Sequence, residues 1–436
     1  RLAAMIEPAD GSTRVGRLSR MLRTSLAGDT VWSLAAEVVR MVGGLFVFFV
    51  IARALGTDGF GEFTAIAAVV SFVVPLAQVG ASLLLVQRIR RDDYAAGDAF
   101  ATAFTMVVGG GVVASVLTVA GVALVPGLSV TATAWLCAGE LLGGAVTSLC
   151  AYMAIAHAKL REYAQVITVL TVMRLAAAMT LLATGSESVV VWALLQAVAV
   201  TATGAVVLMR TRHLFTLQRF WGRVRWEDLA EGIPYSASVA AFSAQDGIDK
   251  PILRSAGWID DAGLYGAAYR VPTIAMLPIQ ALLVASYNRT FSEGKRGLAA
   301  TMAFARRLLA PSLVYAVVVG VLMVLAAPLA VPILGSEFED AVPIVRWLGL
   351  LPLLRVLQYF PANALTGAGY QRVRLWLLIS TLLINLALCL AWIPDHSWRG
   401  ALAATFVGET WYVIVLWIAT RWLSAVEARR PSAVPA

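Results

Sequence analysis

Residues 246–283 read DGIDKPILRSAGWIDDAGLYGAAYRVPTIAMLPIQALL, and residues 51–84 read IARALGTDGFGEFTAIAAVVSFVVPLAQVGASLL. The second quotation is an earlier copy of the first. Arg53 and Gly56 match Arg254 and Gly257 at an offset of 201. Gly61 and Phe63 match Gly263 and Tyr265 at 202, and Pro75 matches Pro278 at 203. A repeat of this period, in a chain of 436 residues, predicts a doubled architecture.

Composition sets the medium. The chain is 60% hydrophobic and 14% charged, with a mean hydropathy of +0.79. A soluble domain carries about 25% charged residues. The apolar runs repeatedly exceed about 18 residues, the length of a bilayer-spanning helix. Barrel strands are about 10 residues long and alternate, so a membrane barrel is excluded. The expected fold is an all-α polytopic membrane protein.

Twelve spans are expected: 31–55, 61–87, 98–125, 132–157, 163–184 and 188–209, then 232–256, 262–288, 303–330, 341–365, 372–393 and 399–424. The net charge of +8 tests this count. If residues 1–30 lie in the cytoplasm, the inner segments hold 25 of the 34 Lys and Arg residues. The outer segments hold three, Arg53, Arg254 and Arg399, and six lie within spans. Basic residues concentrate on the cytoplasmic side of membrane proteins, so both termini are expected inside. The charge reports topology and gives no reason to invoke nucleic acid. Only Lys159, Lys250 and Lys295 are lysines, an arginine bias typical of a GC-rich bacterial genome. A bacterial cytoplasmic membrane is the expected location.

Six spans per half is an even number, so the halves are parallel repeats about an axis along the membrane normal. The expected organisation is a basic tail (1–30), a first bundle (31–209), a cytoplasmic linker (210–231), a second bundle (232–424) and a tail (425–436). Leu217, Phe220, Trp221 and Val224 fall at i, i+3, i+4 and i+7 beside Arg219 and Arg223. That spacing predicts an amphipathic helix on the inner leaflet. Pro75, Pro278 and Pro352 fall within spans, where each permits a kink.

No catalytic constellation is present. The three histidines have no nucleophile or carboxylate at useful spacing. There is no GxxxxGK[ST] phosphate loop. Cys137, Cys150 and Cys389 are scattered through apolar runs and have no metal-binding spacing. No enzyme activity and no cofactor are expected.

The signal lies in charges within spans. An ionised side chain at mid-bilayer costs at least about 2.5–3.5 kcal/mol and normally faces a cavity or a partner. The candidate cavity cations are Arg40, Arg174, Lys250, Arg270 and Arg355; Arg346, nearer a span end, can snorkel. The carboxylates are Glu37, Glu140, Asp246, Asp249 and Glu409, the candidates for proton or sodium coupling. Glu37 and Arg40 are spaced i, i+3, and Asp246, Asp249 and Lys250 share one helical face. Arg174 and Arg355 have no acid on their own helix, so each needs an interhelical partner, water or an anionic ligand. Arg53, Gly56, Arg254 and Gly257 sit at equivalent turns and are expected to serve the fold or a gate.

The stretch RALGTDGFGEF resembles the ARxLGxxxFGxF pattern of bacterial polysaccharide (Wzx-type) flippases. IDKPILRSAG followed by AGLYGAAYRV resembles that family's second signature, with Lys250 where Arg is commoner. The wider superfamily holds lipid II flippases and multidrug exporters of the MATE type. The resemblance implies two six-helix bundles around a central cavity with alternating access. It implies a polyprenyl-diphosphate-linked oligosaccharide as substrate, with membrane lipids and glycan polymerase or export machinery as partners. A cavity with unpaired arginine suits a diphosphate. Trp135, Trp192, Tyr235, Tyr269, Trp347 and Tyr359 are available to sugars. An ion-coupled exporter of small cations is the alternative, and it would need a cavity dominated by carboxylates.

Overall fold

The computed structural model describes residues 11–90, 95–157, 159–212, 221–329, 331–332 and 335–429. Among them the elements are helices joined by short turns. Eight stretches are long and apolar enough to cross a membrane. Two of these, Val38–Gln78 and Gln371–Arg429, each hold two spans. The bends fall at Gly56 (φ 65°, ψ −173°) and Ser397 (φ 52°, ψ −135°). Spans 7 and 8 complete the twelve. Each is broken: Trp226–Gln245 is followed by Asp249–Ser255, and Ile259–Ala275 by Leu277–Gly294.

The prolines act unequally. Pro278 and Pro352 each open a new helix just after a break. Pro75 lies inside the helix Gly11–Gln78, and span 2 turns instead at Val79 and Gly80, with φ 46° and 70°.

Two expectations need correction. Residues 11–30, expected as part of a tail, continue as helix into span 1. No proline separates Gly11 from that span, so nothing stops the helix. The linker helix is not seen in its described part. Residues 221–225 are irregular, and the next helix begins at Trp226. There the Gly222 N–H donates to the Ala101 carbonyl (3.1 Å) and Thr105 Oγ1 (2.9 Å), leaving no room for a helical turn. Leu217, Arg219 and Phe220 lie outside the described residues.

The apolar core shows how the halves meet. Around the Arg254 end, one cluster joins both halves, with Phe48, Phe60 and Leu136 beside Leu253, Tyr265, Phe338 and Ile393. Toward the end where basic residues concentrate, the core divides. One cluster holds Leu85, Phe100, Met153 and Val207 of the first half. A separate one holds Met276, Met302, Phe360 and Leu416 of the second. The halves are fused at one end and parted at the other.

Candidate functional site

The joint at the Arg254 end is built from the repeat motif itself. Gly56 and Gly257 sit at equivalent turns with φ 65° and 91°, a conformation glycine adopts without steric cost. The turns present Gly61 and Gly263 to one another. A Cβ on Gly61 would lie 2.7 Å from the Gly263 nitrogen. Only glycines allow that approach. One turn on, Gly266 packs against Thr64, its own repeat equivalent.

Arg254 pins this joint. It is 7% exposed. Its Nε donates to the Gly127 carbonyl (2.6 Å), and Nη1 donates to the Asp58 carbonyl (2.9 Å) and carboxylate (2.8 Å). Glu62 Oε2 lies 3.5 Å from Nη2. Thr57 donates to Asp260 (3.0 Å), and Ser397 donates to Asp261. Phe338, between spans 9 and 10, packs edge-on against Phe60. Arg53 does not repeat the role. It is exposed, with no ion pair among the described residues. The equivalence with Arg254 is one of sequence, not of contact, because the position matching Glu62 is Leu264.

A second polar network lies inside the second half. The break in span 7 at 246–248 frees Asp246 to turn toward span 10. Arg355 Nη2 donates to Asp246 (2.5 Å), Tyr269 Oη (2.7 Å) and Glu409 (3.2 Å). Gln358, one turn beyond Arg355, donates to the other oxygen of Glu409. Arg355 and Glu409 are sealed, while Asp246 is partly open to a recess also lined by Phe242, Tyr359 and Tyr412. Lys250 does not use the Asp246 carboxylate. Its Nζ donates to the Asp246 carbonyl (2.8 Å) and to Asp249 (3.2 Å), and it lies 4.3 Å from the Tyr269 ring centre.

The first half holds a smaller network. Span 4 widens to a π-helix at Ala138–Gly144, a form found mostly as bulges at functional positions. Glu140 lies on that bulge. It accepts two bonds from Arg174 Nη2 (2.6 and 2.8 Å) and one from Gln196 (2.7 Å). Thr171, one turn from Arg174, fits against Gly43 of span 1.

Arg270 is different. It lies nine residues past Asp261, about 14 Å along span 8. It is exposed and lies over the Phe48 ring at 5.6 Å. No carboxylate among the described residues pairs with it. Phe48 and Gly43 are about 140° apart around span 1, so Arg270 and the Glu140–Arg174 pair lie on different faces of that helix.

These placements reorder the expected site. Arg174 and Arg355 have carboxylate partners on other helices, so they are not free cations. Glu140, Asp246 and Glu409 are those partners. Arg40 is exposed, and the Glu37 side chain lies outside the described ones. Of the aromatics, Tyr269 joins the Arg355 network, Trp192 is buried against Phe63, and Trp135 and Trp347 are exposed. The Tyr235 side chain lies outside the described ones, and Tyr359 lines the recess together with Asp246 and Arg355. Gln196, Gln358, Asp58, Glu62 and Gly127 are participants that sequence reasoning missed. Gln358 follows Arg355 by three residues and Glu62 follows Asp58 by four, so helical spacing was the available signal.

A twelve-span bundle with halves fused at one end and parted at the other is the fold of transporters. A multidrug resistance MATE family transporter of the MOP superfamily, in an inward-facing conformation, aligns with 92% of this chain and 100% of its own (15% identity, TM-score 0.74). An outward-facing conformation of a MATE family transporter aligns over 93% and 96% at 15% identity, with a TM-score of 0.60. A MOP superfamily transporter from Pyrococcus furiosus, described as having a binding pocket of reverse polarity, aligns over 93% and 96% at 14% identity, with a TM-score of 0.63. No curated relative matches the sequence. Residues 26–287 match the polysaccharide biosynthesis protein family, and the chain belongs to that family of flippases. It is an integral membrane transporter.

Proposed function

We propose that this protein carries a polyprenyl-diphosphate-linked oligosaccharide from the cytoplasmic to the outer leaflet of a bacterial cytoplasmic membrane, by alternating access. The observation that carries the reading is Arg270. It is a cation well inside span 8, exposed beside span 1, with no carboxylate partner among the described residues. A charge at that depth calls for a counter-ion, and a diphosphate supplies one.

The shape of the cleft supports the same reading. On span 1, Val38, Arg40, Met41, Val42, Gly44 and Phe46 are exposed, whereas Phe48, Ile51, Ala52 and Leu55 are buried. An opening at the basic end lets a lipid tail stay in the bilayer while its head group reaches Arg270. In this reading the basic end faces the cytoplasm. A small-cation exporter fits less well, because Glu140, Asp246 and Glu409 are all engaged by arginine, Glu140 by Arg174 and the other two by Arg355.

The test is reconstitution in liposomes with a fluorescent polyprenyl-diphosphate oligosaccharide, scoring access of a membrane-impermeant quencher. Wild-type protein should move the label. Arg270→Ala should slow it by about tenfold or more, the worth of one charge-assisted hydrogen bond. Undiminished movement in Arg270→Ala sinks the assignment of the diphosphate site, and no movement in wild type sinks the substrate class.

A further inference from the structure

Two loops at the Arg254 end cross from one half to the other. They follow equivalent spans, 3 and 9, and each turns at a glycine of positive φ, Gly127 at 80° and Gly335 at 121°. The first loop makes a polar contact, through the Gly127 carbonyl that accepts from Arg254. The second makes an apolar one. Its short turn Ser336–Phe338 carries Phe338 into the core, 1% exposed, with its ring 6.3 Å from that of Phe60 and steeply inclined to it (73°). Beside it, Glu337 lies against the Gly56 turn, where an added Cβ would meet its carboxylate at 3.0 Å.

From Phe338 a row of side chains runs inward to Arg270. Phe60 of span 2 meets Phe48 of span 1, with the rings 5.3 Å apart at 77°. Arg270 lies over the Phe48 ring at 5.6 Å. Edge-on rings at these separations attract, and so does a cation within about 6 Å of a ring face. Phe48 stands eight residues before Gly56, about 12 Å along span 1, so the row reaches from the loop well into the membrane.

The order of the row matters. Phe60 and Phe48 belong to the first half, on the two spans that Gly56 joins. Phe338 and Arg270 belong to the second half. The helix that follows Phe338, Ala341–Leu348, packs along the helix Ile259–Ala275 that carries Arg270. When the halves part at this end, Phe60 and Phe48 leave with one half while Phe338 and Arg270 stay with the other. The Phe338–Phe60 and Arg270–Phe48 contacts then break in one motion.

We propose that Phe338 is a wedge that holds the outer end shut, and that Phe48 is a positioning residue that ties the substrate cation Arg270 to the shut state. A diphosphate on Arg270 sets anionic oxygens beside a ring face that is itself negative. The ligand therefore binds better once the ring has withdrawn, and by linkage it favours opening of the outer end. The wedge sets how readily an empty protein opens there, and the Phe48 ring sets how much the ligand adds. This proposal rests on the transport reading above and concerns the regulation of that same site.

The experiment uses full-length protein with Cys137, Cys150 and Cys389 replaced by alanine. Spin labels at Ser188→Cys and Asp395→Cys, on exposed outer turns of the two halves, report the ratio of open to shut outer ends. The probe is undecaprenyl diphosphate, and its retention on the protein is measured separately. In the parent protein it should raise the open ratio by about fivefold, within the range of a cation–π contact and of ordinary coupling between sites. Phe338→Leu should raise the ratio without ligand by about two- to tenfold, the worth of an edge-on ring contact, and leave the ligand's factor unchanged. Phe48→Leu should cancel the ligand's factor, and Phe48→Tyr, which keeps a ring, should restore it. Phe338→Met replaces Phe338→Leu where the leucine variant does not fold. An unchanged ligand-free ratio in the Phe338 variant overturns the wedge. An undiminished ligand factor in Phe48→Leu, or retention of the probe with no shift in the parent, overturns the role of Phe48. Failure of the parent to retain the probe counts against the substrate reading. The ligand-free ratios then judge the row by themselves: both leucine variants should raise them, and a rise in neither overturns it.

Discussion

Gly61 and Gly263 occupy the same position in the two repeats and lie against each other, with 2.7 Å between a Cβ built on the first and the backbone nitrogen of the second. The motif that reveals the duplication is therefore also the surface by which the copies bind. A Cβ on Gly263 would fall 2.0 Å from the Thr57 carbonyl.

Gly263→Ala is expected to destabilise the folded protein by about 1–3 kcal/mol, the range for overpacking a close contact. Thermal unfolding in detergent micelles reads this out. A melting temperature equal to wild type would mean that the two helices have slack at the crossing.

Arg254→Ala removes four contacts from the joint and should let that end part more readily. A Ser129→Cys reporter, beside Glu62, should then react faster with an impermeant maleimide added from that side. Arg53→Ala should leave the rate unchanged. Equal acceleration by both substitutions would contradict the asymmetry of the two arginines.

Arg355→Leu leaves Asp246 and Glu409 inside the second half without their cation. Removing one member of a buried ion pair costs about 3–5 kcal/mol, whereas replacing the whole group by neutral residues costs far less. The single variant should therefore lose folded protein, and the triple variant with Asp246→Asn and Glu409→Gln should recover most of it. A well-folded Arg355→Leu protein would show that those carboxylates find other partners.

Arg270 has no such carboxylate partner among the described residues, so its substitution should leave stability alone. Arg270→Lys should retain part of the transport lost in Arg270→Ala, because lysine keeps the charge but not the bidentate fork. Melting curves and transport rates of both variants, measured on the same preparations, separate these effects. A lower melting temperature in Arg270→Ala would assign the side chain to packing instead.

Much of this was legible in the chain. Apolar run length gave the spans, and the matched prolines and glycines gave the duplication. The charges at Glu140, Arg174, Asp246, Arg355 and Glu409 stood out because a membrane interior makes every ionised group conspicuous. Their pairing did not stand out. Glu140 is 34 residues from Arg174, and Asp246 is 109 from Arg355. No spacing rule acts across such separations.

Local pattern and solvent fixed what this chain could be by itself: a membrane protein of two parallel six-span halves with glycine turns at 56 and 257. Those features depend on a few consecutive residues and on the cost of leaving backbone or charge in hydrocarbon, both readable along the sequence. Packing between halves decided the rest. It gave Arg254 three partner residues and Arg53 no ion pair among the described residues, gave Arg174 and Arg355 carboxylate partners, and left Arg270 exposed. It brought spans 2 and 8 together at the Gly61–Gly263 crossing and spans 2 and 7 together at Gly80–Gly232. Each outcome depends on which helices approach within a few ångströms, and that distance is set by the whole fold.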